Sequence, residues 1–172
     1  GIDTLDISAT TAGALVSTIF ASSADIGFNT ISGIENIIGS LGTDNITTNG
    51  GTNVIDGRGG NDTINAGGGD DIVIGGAGND SLNGGAGNDT FVFGAGFGND
   101  TISGFDAIGG VGAQDFLRLD PTLGITAANF ASSVTIAASG ANTVITIGTQ
   151  SITLLGVAAA NVTADDFLFG GP

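Results

Sequence analysis

The chain has 172 residues and a formal charge of −15, with seventeen acids set against two arginines and no lysine. It lacks cysteine, histidine, tryptophan, tyrosine and methionine. That excludes a disulfide framework, metal sites of the thiolate or imidazole kind, and most general acid–base and covalent catalysis. The acidity accompanies 41% hydrophobic residues, unlike a disordered chain; no basic patch exists for nucleic acid or anionic membrane, and no apolar run is long enough for a membrane span.

The first element, residues 3–8, alternates with Leu5 and Ile7 on one face, which predicts a half-buried strand. Residues 14–21 fit either a strand or a short apolar turn. At 30–38 a degenerate repeat begins, with Gly33, Glu35 and Ile37 in the glycine, acid and apolar positions that recur downstream. Phe28 takes the preceding apolar position. The abrupt start at Gly1, without a signal-peptide pattern, reads as a fragment excised from a longer protein.

Residues 39–92 are six nonapeptides: GSLGTDNIT, TNGGTNVID, GRGGNDTIN, AGGGDDIVI, GGAGNDSLN and GGAGNDTFV. Asp44, Asn53, Asp62, Asp71, Asp80 and Asp89 share one position. Ile46, Ile55, Ile64, Val73, Leu82 and Phe91 follow two residues later, and Gly42, Gly51, Gly60, Gly69, Gly78 and Gly87 precede by two. A period this regular marks a solenoid rather than a flexible glycine linker. Residues 93–103 form a seventh unit with two extra residues, and 104–120 add Asp106, Asp115 and a strand at 116–119 closed by Pro121. Beyond it the repeat stops. Strands are expected at 134–136, 144–147 and 152–155. Single helical turns are expected at 125–130 and 162–167, capped by Thr126 and Thr163. The chain thus divides into a β lead-in with degenerate repeat (1–38), a roll (39–120) and a C-terminal β cap (121–172).

Each nonapeptide splits into six turn residues and a three-residue strand whose middle side chain points inward. Two nonapeptides make one coil, so the turns fall alternately on two edges. Asp44, Asp62 and Asp80 line one edge; Asn53, Asp71 and Asp89 line the other. Stacked strands lie about 4.8 Å apart, and two carboxylates at that spacing repel by about 3 kcal/mol at an effective dielectric near 20. A column of them requires cations. An all-oxygen shell of carboxylates and turn carbonyls suits Ca²⁺ better than Mg²⁺, and zinc is disfavoured without nitrogen or sulfur donors. Several ions are expected.

The repeats resemble those of the repeats-in-toxin (RTX) proteins, whose G-G-x-G-x-D-x-U-x nonapeptides form a right-handed, calcium-bound parallel β-roll. Residues 75–83 and 84–92 match fully, and 57–65 depart only at Arg58. The resemblance implies an all-β fold. It also implies that each ion takes the second, fourth and sixth residues of one loop with the first, third and sixth of the loop eighteen residues on. One site is then Ser40, Gly42 and Asp44 with Gly57, Gly59 and Asp62, and the next is Arg58, Gly60 and Asp62 with Gly75, Ala77 and Asp80. On the other edge, Gly67, Gly69 and Asp71 join Gly84, Ala86 and Asp89, while Asn53 weakens its site with Asp71. Gly76, Gly78, Gly85 and Gly87 stand at the second and fourth positions of the later loops, and Asp100, Asp106 and Asp115 are further candidate acids. Arg58 is harmless if it offers only its carbonyl.

The outward strand residues differ between faces. One face carries Asn45, Thr47, Thr63, Asn65, Ser81 and Asn83; the other carries Val54, Asp56, Ile72, Ile74, Thr90 and Val92. An apolar face needs cover. The expectation is that strands of 121–169 pack there, bringing Phe130, Phe167 or Phe169 onto Ile72 and Ile74, with self-association as the alternative. The resemblance implies a non-catalytic calcium-binding module that folds on meeting extracellular Ca²⁺ and supports export by type I secretion machinery. Its partners would be that exporter and the N-terminal domains of a parent protein, and its place extracellular or on the cell surface. The alternative is a self-assembling segment of a surface-layer protein or adhesin.

Overall fold

The computed structural model describes residues 4–7, 15–17, 34–48, 50–107 and 113–170, with 15–17 as backbone alone. Each nonapeptide contributes one short strand, because its glycines turn the chain tightly and its branched or aromatic triplet favours extension. The strands are β1 (Thr4–Asp6), β2 (Leu15–Ser17), β3 (Asn36–Ile38), β4 (Asn45–Thr47), β5 (Val54–Asp56), β6 (Thr63–Asn65), β7 (Ile72–Ile74) and β8 (Ser81–Asn83). There follow β9 (Thr90–Phe93), β10 (Asn99–Ser103), β11 (Phe116–Leu119), β12 (Val134–Ser139), β13 (Asn142–Ile147), β14 (Gln150–Leu154) and β15 (Phe167–Phe169).

Odd and even strands stack separately. One sheet runs β1-β3-β5-β7-β9-β11-β15, and the other runs β2-β4-β6-β8-β10-β14-β13-β12. Pairing is parallel except where β14, β13 and β12 meander antiparallel. The result is a parallel β-roll. Its core is two facing ladders of triplet centres: Ile37, Ile55, Val73, Phe91 and Leu117 on one sheet, and Ile46, Ile64, Leu82 and Ile102 on the other. All are essentially buried. Each such side chain stabilises the fold by roughly 1.5–3 kcal/mol.

Within the degenerate first repeat, Ile37 stands in register with Ile55 and pairs with Leu5. Residues 15–17 are a strand paired to β4, and the rest of 14–21 lies outside the described residues. Phe28 and Gly33 lie outside the described residues. The two extra residues of the seventh unit are absorbed before β10. Phe97 turns back into the core, edge-on to Phe93 at 5.1 Å, and Thr101 recovers register with Ser81. With its amide oxygen turned to this loop, Gln150 accepts from the N–H groups of Phe97 and Gly98 at 2.6 and 2.8 Å.

The C-terminal part departs from expectation in how it packs. Its strands do not lie over the apolar face; they extend the two sheets edge to edge, β15 beside β11 and β14 beside β10. A sheet edge left by the last coil offers a row of unpaired backbone groups, and pairing it outweighs covering half-buried side chains. Ile72 and Ile74 therefore stay half-buried and Val54 stays exposed. Phe130 instead packs on Phe167 and Phe169, at 4.7 and 5.6 Å. Thr163 caps the 3-10 turn Ala164–Asp166 through a reciprocal capping box. The other turn begins later than expected, at Phe130–Ser133 after Asn129, and Thr126 instead donates to the Asn129 side chain.

Candidate metal centre

The acid position of each nonapeptide sits immediately before its strand, so every such side chain turns in beneath the loop of its own coil. Asp44, Asn53, Asp62, Asp71, Asp80, Asp89, Asp100 and Asp115 are all buried. One oxygen of Asp62, Asp71, Asp80, Asp89, Asp100 and Asp115 is held the same way. The Oδ1 atoms of Asp62 and Asp80 accept from the backbone N–H of Asp44 and Asp62, both at 2.8 Å. On the other edge the Oδ1 atoms of Asp71 and Asp89 accept from Asn53 and Asp71, at 2.7 and 2.9 Å. Asp100 and Asp115 continue the two columns by accepting from Asp80 and Asp89.

The second oxygen is the informative one. Oδ2 of Asp62, Asp71, Asp80 and Asp89, and Oδ1 of Asn53, are buried without any hydrogen-bond partner among the described residues. An unpaired buried carboxylate oxygen is among the costliest arrangements a protein can hold. Burial first, then the like charges of Asp80, Asp44 and Asp56, pushes the Asp62 carboxyl up to about 7, against a lowering by the Asp44 amide. Burial likewise raises Asp71 and Asp100 to about 7 and Asp115 to about 6. Asp80 and Asp89 are raised for the same leading reason. Only a cation lets all of them ionise together.

The surroundings fit one. Room is left beside the free oxygens by the first residue of the nonapeptide. A β-carbon on Gly57 would lie 2.5 Å from Asp62 Oδ2 and 2.6 Å from the Gly75 carbonyl, and Gly75 and Gly84 approach Asp80 and Asp89 closer still. No three acidic, histidine or cysteine side chains cluster among the described residues, so each ion would draw mainly on carbonyls. The candidate carbonyls stack from loop to loop. Gly60 N–H donates to Ala77 and Gly69 N–H to Ala86, while Arg58 and Gly67 accept from Ala77 and Ala86, and each carbonyl keeps a second lone pair. Hard oxygen donors in this number suit Ca²⁺.

Arg58 adopts φ 68°, in the left-handed region, where Gly67, Gly76 and Gly85 have φ between 95° and 100°. Its carbonyl therefore takes the place of theirs. At the N-terminal end Asp44 has its second oxygen occupied by the chain itself, through the N–H and hydroxyl of Ser40 at 2.8 and 3.1 Å. At the C-terminal end the Asp106 N–H does the same for Asp115, while the side chain of Asp106 is exposed.

Two features escaped the sequence reading. The cradle position is glycine at Gly39, Gly57 and Gly75 on one edge, but Thr48 and Ala66 precede Gly84 on the other, and both are fully buried. That edge is thus narrowed as well as short of a charge at Asn53. An outer ladder also forms: Asn61 accepts from the Asn79 amide and Asn79 from Asn99, while Asp70 accepts from Asn88 and Asn88 from Gln114. Its signal is the Asn or Asp that stands directly before most of the column acids.

Fold and site together define a calcium-binding parallel β-roll. The family profile for the RTX calcium-binding nonapeptide repeat matches residues 29–64, 38–73 and 65–98. Residues 29–98 are therefore RTX nonapeptide repeats, a motif that binds several calcium ions. Among solved structures, the chain is similar to the R3 subunit of a mannuronan C5-epimerase from Azotobacter vinelandii, at 25% identity and TM-score 0.51, covering 90% of this chain and 78% of that one. The R2 subunit of the same organism's epimerase aligns at 23% identity and TM-score 0.48, over 100% of this chain and 94% of that one. An extracellular lipase from Serratia marcescens aligns at 17% and 0.36, over 84% and 41%. No curated protein matches at the level of sequence.

Proposed function

We propose that this chain is a non-catalytic module of a larger secreted protein, which stays unfolded until it meets extracellular calcium and folds on binding it. The observation that carries this reading is the column of buried, partnerless oxygens on Asn53, Asp62, Asp71, Asp80 and Asp89. Without metal, the roll must either protonate those carboxyls or open. Extracellular calcium modules bind with dissociation constants of roughly 10⁻⁴–10⁻³ M, far above cytosolic calcium, so the acid-rich chain would remain open inside a cell and pass a narrow type I exporter. Outside, the ions supply the missing partners, and binding free energy becomes folding free energy. The repeats are of a kind generally found in secreted proteins, and no helix among the described residues is long and apolar enough to cross a membrane. β15 and the meander β12–β14 would finish both sheets and fix the end from which the coils stack.

The test is far-ultraviolet circular dichroism of the chelated protein as calcium is added. A cooperative gain of β signal in the submillimolar to millimolar range supports the reading. A chain already fully folded in excess chelator near neutral pH refutes it.

A further inference from the structure

The half-buried face of the odd-numbered sheet has an order that fits a second copy of itself. Its outer row reads, strand by strand from β3 to β15, Ile38, Asp56, Ile74, Val92, Arg118 and Leu168. No described strand packs on it, since every one belongs to one of the two sheets. Arg118 makes no ion pair or side-chain hydrogen bond with a described residue, although the chain holds seventeen acids for two cations. Asp56 is three strand steps away, roughly 14 Å, too far to reach it within one chain.

We propose that this face pairs two copies of the chain about a two-fold axis that runs along the strand direction between β7 and β9. That operation exchanges Ile74 with Val92, Asp56 with Arg118 and Ile38 with Leu168, because each pair lies equally far from the axis in the same row. The centre of the interface is then apolar against apolar, and both ends close with an Asp56–Arg118 bridge between copies. In the neighbouring row the same axis sets Val54, the exposed member of the face, against Phe116. Interfaces of this symmetry must be self-complementary, and a row that is apolar at its middle with opposite charges at equal distances meets that condition. Five strand steps by one triplet give a patch of about 24 by 10 Å. At about 500 Å² over both copies this row alone buries less than a stable dimer interface does, so the dimer is weak and concentration-dependent. Calcium favours it further by neutralising the columns whose charge would hold two copies apart. The proposal rests on the folded roll and not on export.

Sedimentation equilibrium of the calcium-loaded chain over rising concentration tests it. Wild type should pass from monomer to dimer. Arg118→Asp and Asp56→Arg should each weaken association by about tenfold or more, since like charges then face each other at both ends. A mixture of the two variants should recover it as a heterodimer, with one bridge as in wild type and the other reversed. Circular dichroism in calcium confirms that each variant folds. Should either fail, Ile74→Cys mixed with Val92→Cys, in a chain that has no other cysteine, should join through a short bis-maleimide. A monomer at all concentrations, or a mixture that associates no better than its components, overturns the proposal and assigns the face to another cover.

Discussion

Replacing Asp80 by asparagine should act in opposite directions with and without metal. Asp80 stands in its column between Asp62 and Asp100, and its charge helps raise the carboxyls of both. At one strand step of about 4.8 Å, each pair of charges repels by about 3 kcal/mol at an effective dielectric near 20. Salt with a Debye length of about 8 Å reduces that to about 2 kcal/mol per pair. Asparagine keeps an oxygen to accept from the Asp62 amide, so the chief change is loss of one charge and relief of about 4 kcal/mol of repulsion in the metal-free roll. In calcium the same change removes an anionic ligand from between two loops. Two titrations by circular dichroism separate the effects. In chelator, the variant should gain β structure at a higher pH than wild type; near neutral pH, it should need about tenfold more calcium. If the variant folds like wild type in chelator, or shifts the same way in both titrations, the buried oxygens are not the metal site.

The unsubstituted chain has its own pH dependence. Folded-state carboxyls raised above 3.8 to about 6–7 contribute stability that is complete below pH 3.8 and lost as pH rises to about 7. Chelated protein should therefore gain β signal on acidification from pH 8 towards 5.5, and calcium should abolish that dependence. Arg58→Gly should stabilise the calcium form by about 1 kcal/mol, read from thermal melting, because it removes a side chain from a left-handed turn. Gly75→Ala should raise the calcium midpoint severalfold by placing a methyl against Asp80 Oδ2, whereas Gly68→Ala, with its nearest atom 3.5 Å away, should not. Leu82→Ala should cost about 2–5 kcal/mol in denaturant titrations, and Leu41→Ser, at a loop position that is 65% exposed, close to nothing.

The roll and its columns were legible in the sequence because repetition forces each residue's environment to recur. Once the nonapeptide is aligned, the burial of Ile55 or Phe91 and the stacking of Asp62 over Asp80 follow from period alone. Even the two-residue insertion was readable, since Asp100 and Ile102 resume the register beyond it. Legibility ended where repetition ended. The alternation in β13, with Thr143, Ile145 and Ile147 buried, is equally consistent with a strand lying on a face and a strand joined to an edge. Only the unpaired backbone of β10 decides between them, and no side chain records it. Thr48 and Ala66 stand at the first position of their nonapeptides, where nothing in the spacing marks them out. Their effect depends on a Cβ meeting a carboxylate oxygen across the turn, a distance that spacing does not encode.

The amide-to-carboxylate links of the columns all point the same way. The N–H of each column residue is satisfied by an acid later in the chain: Asp44 by Asp62, Asp62 by Asp80, Asp80 by Asp100 and Asp89 by Asp115. A turn is therefore unfinished until its C-terminal successor is in place, and the series ends at Asp100 in one column and at Asp115, closed by Asp106, in the other. A chain cut after residue 92 strands the amides of Asp80 and Asp89, while one that begins at 39 keeps every such link. The roll is thus a polar array, tolerant of loss at its start and intolerant of loss at its end. Under partial unfolding it should fray from the N-terminal coils and hold longest at β10, β11 and the strands that close them.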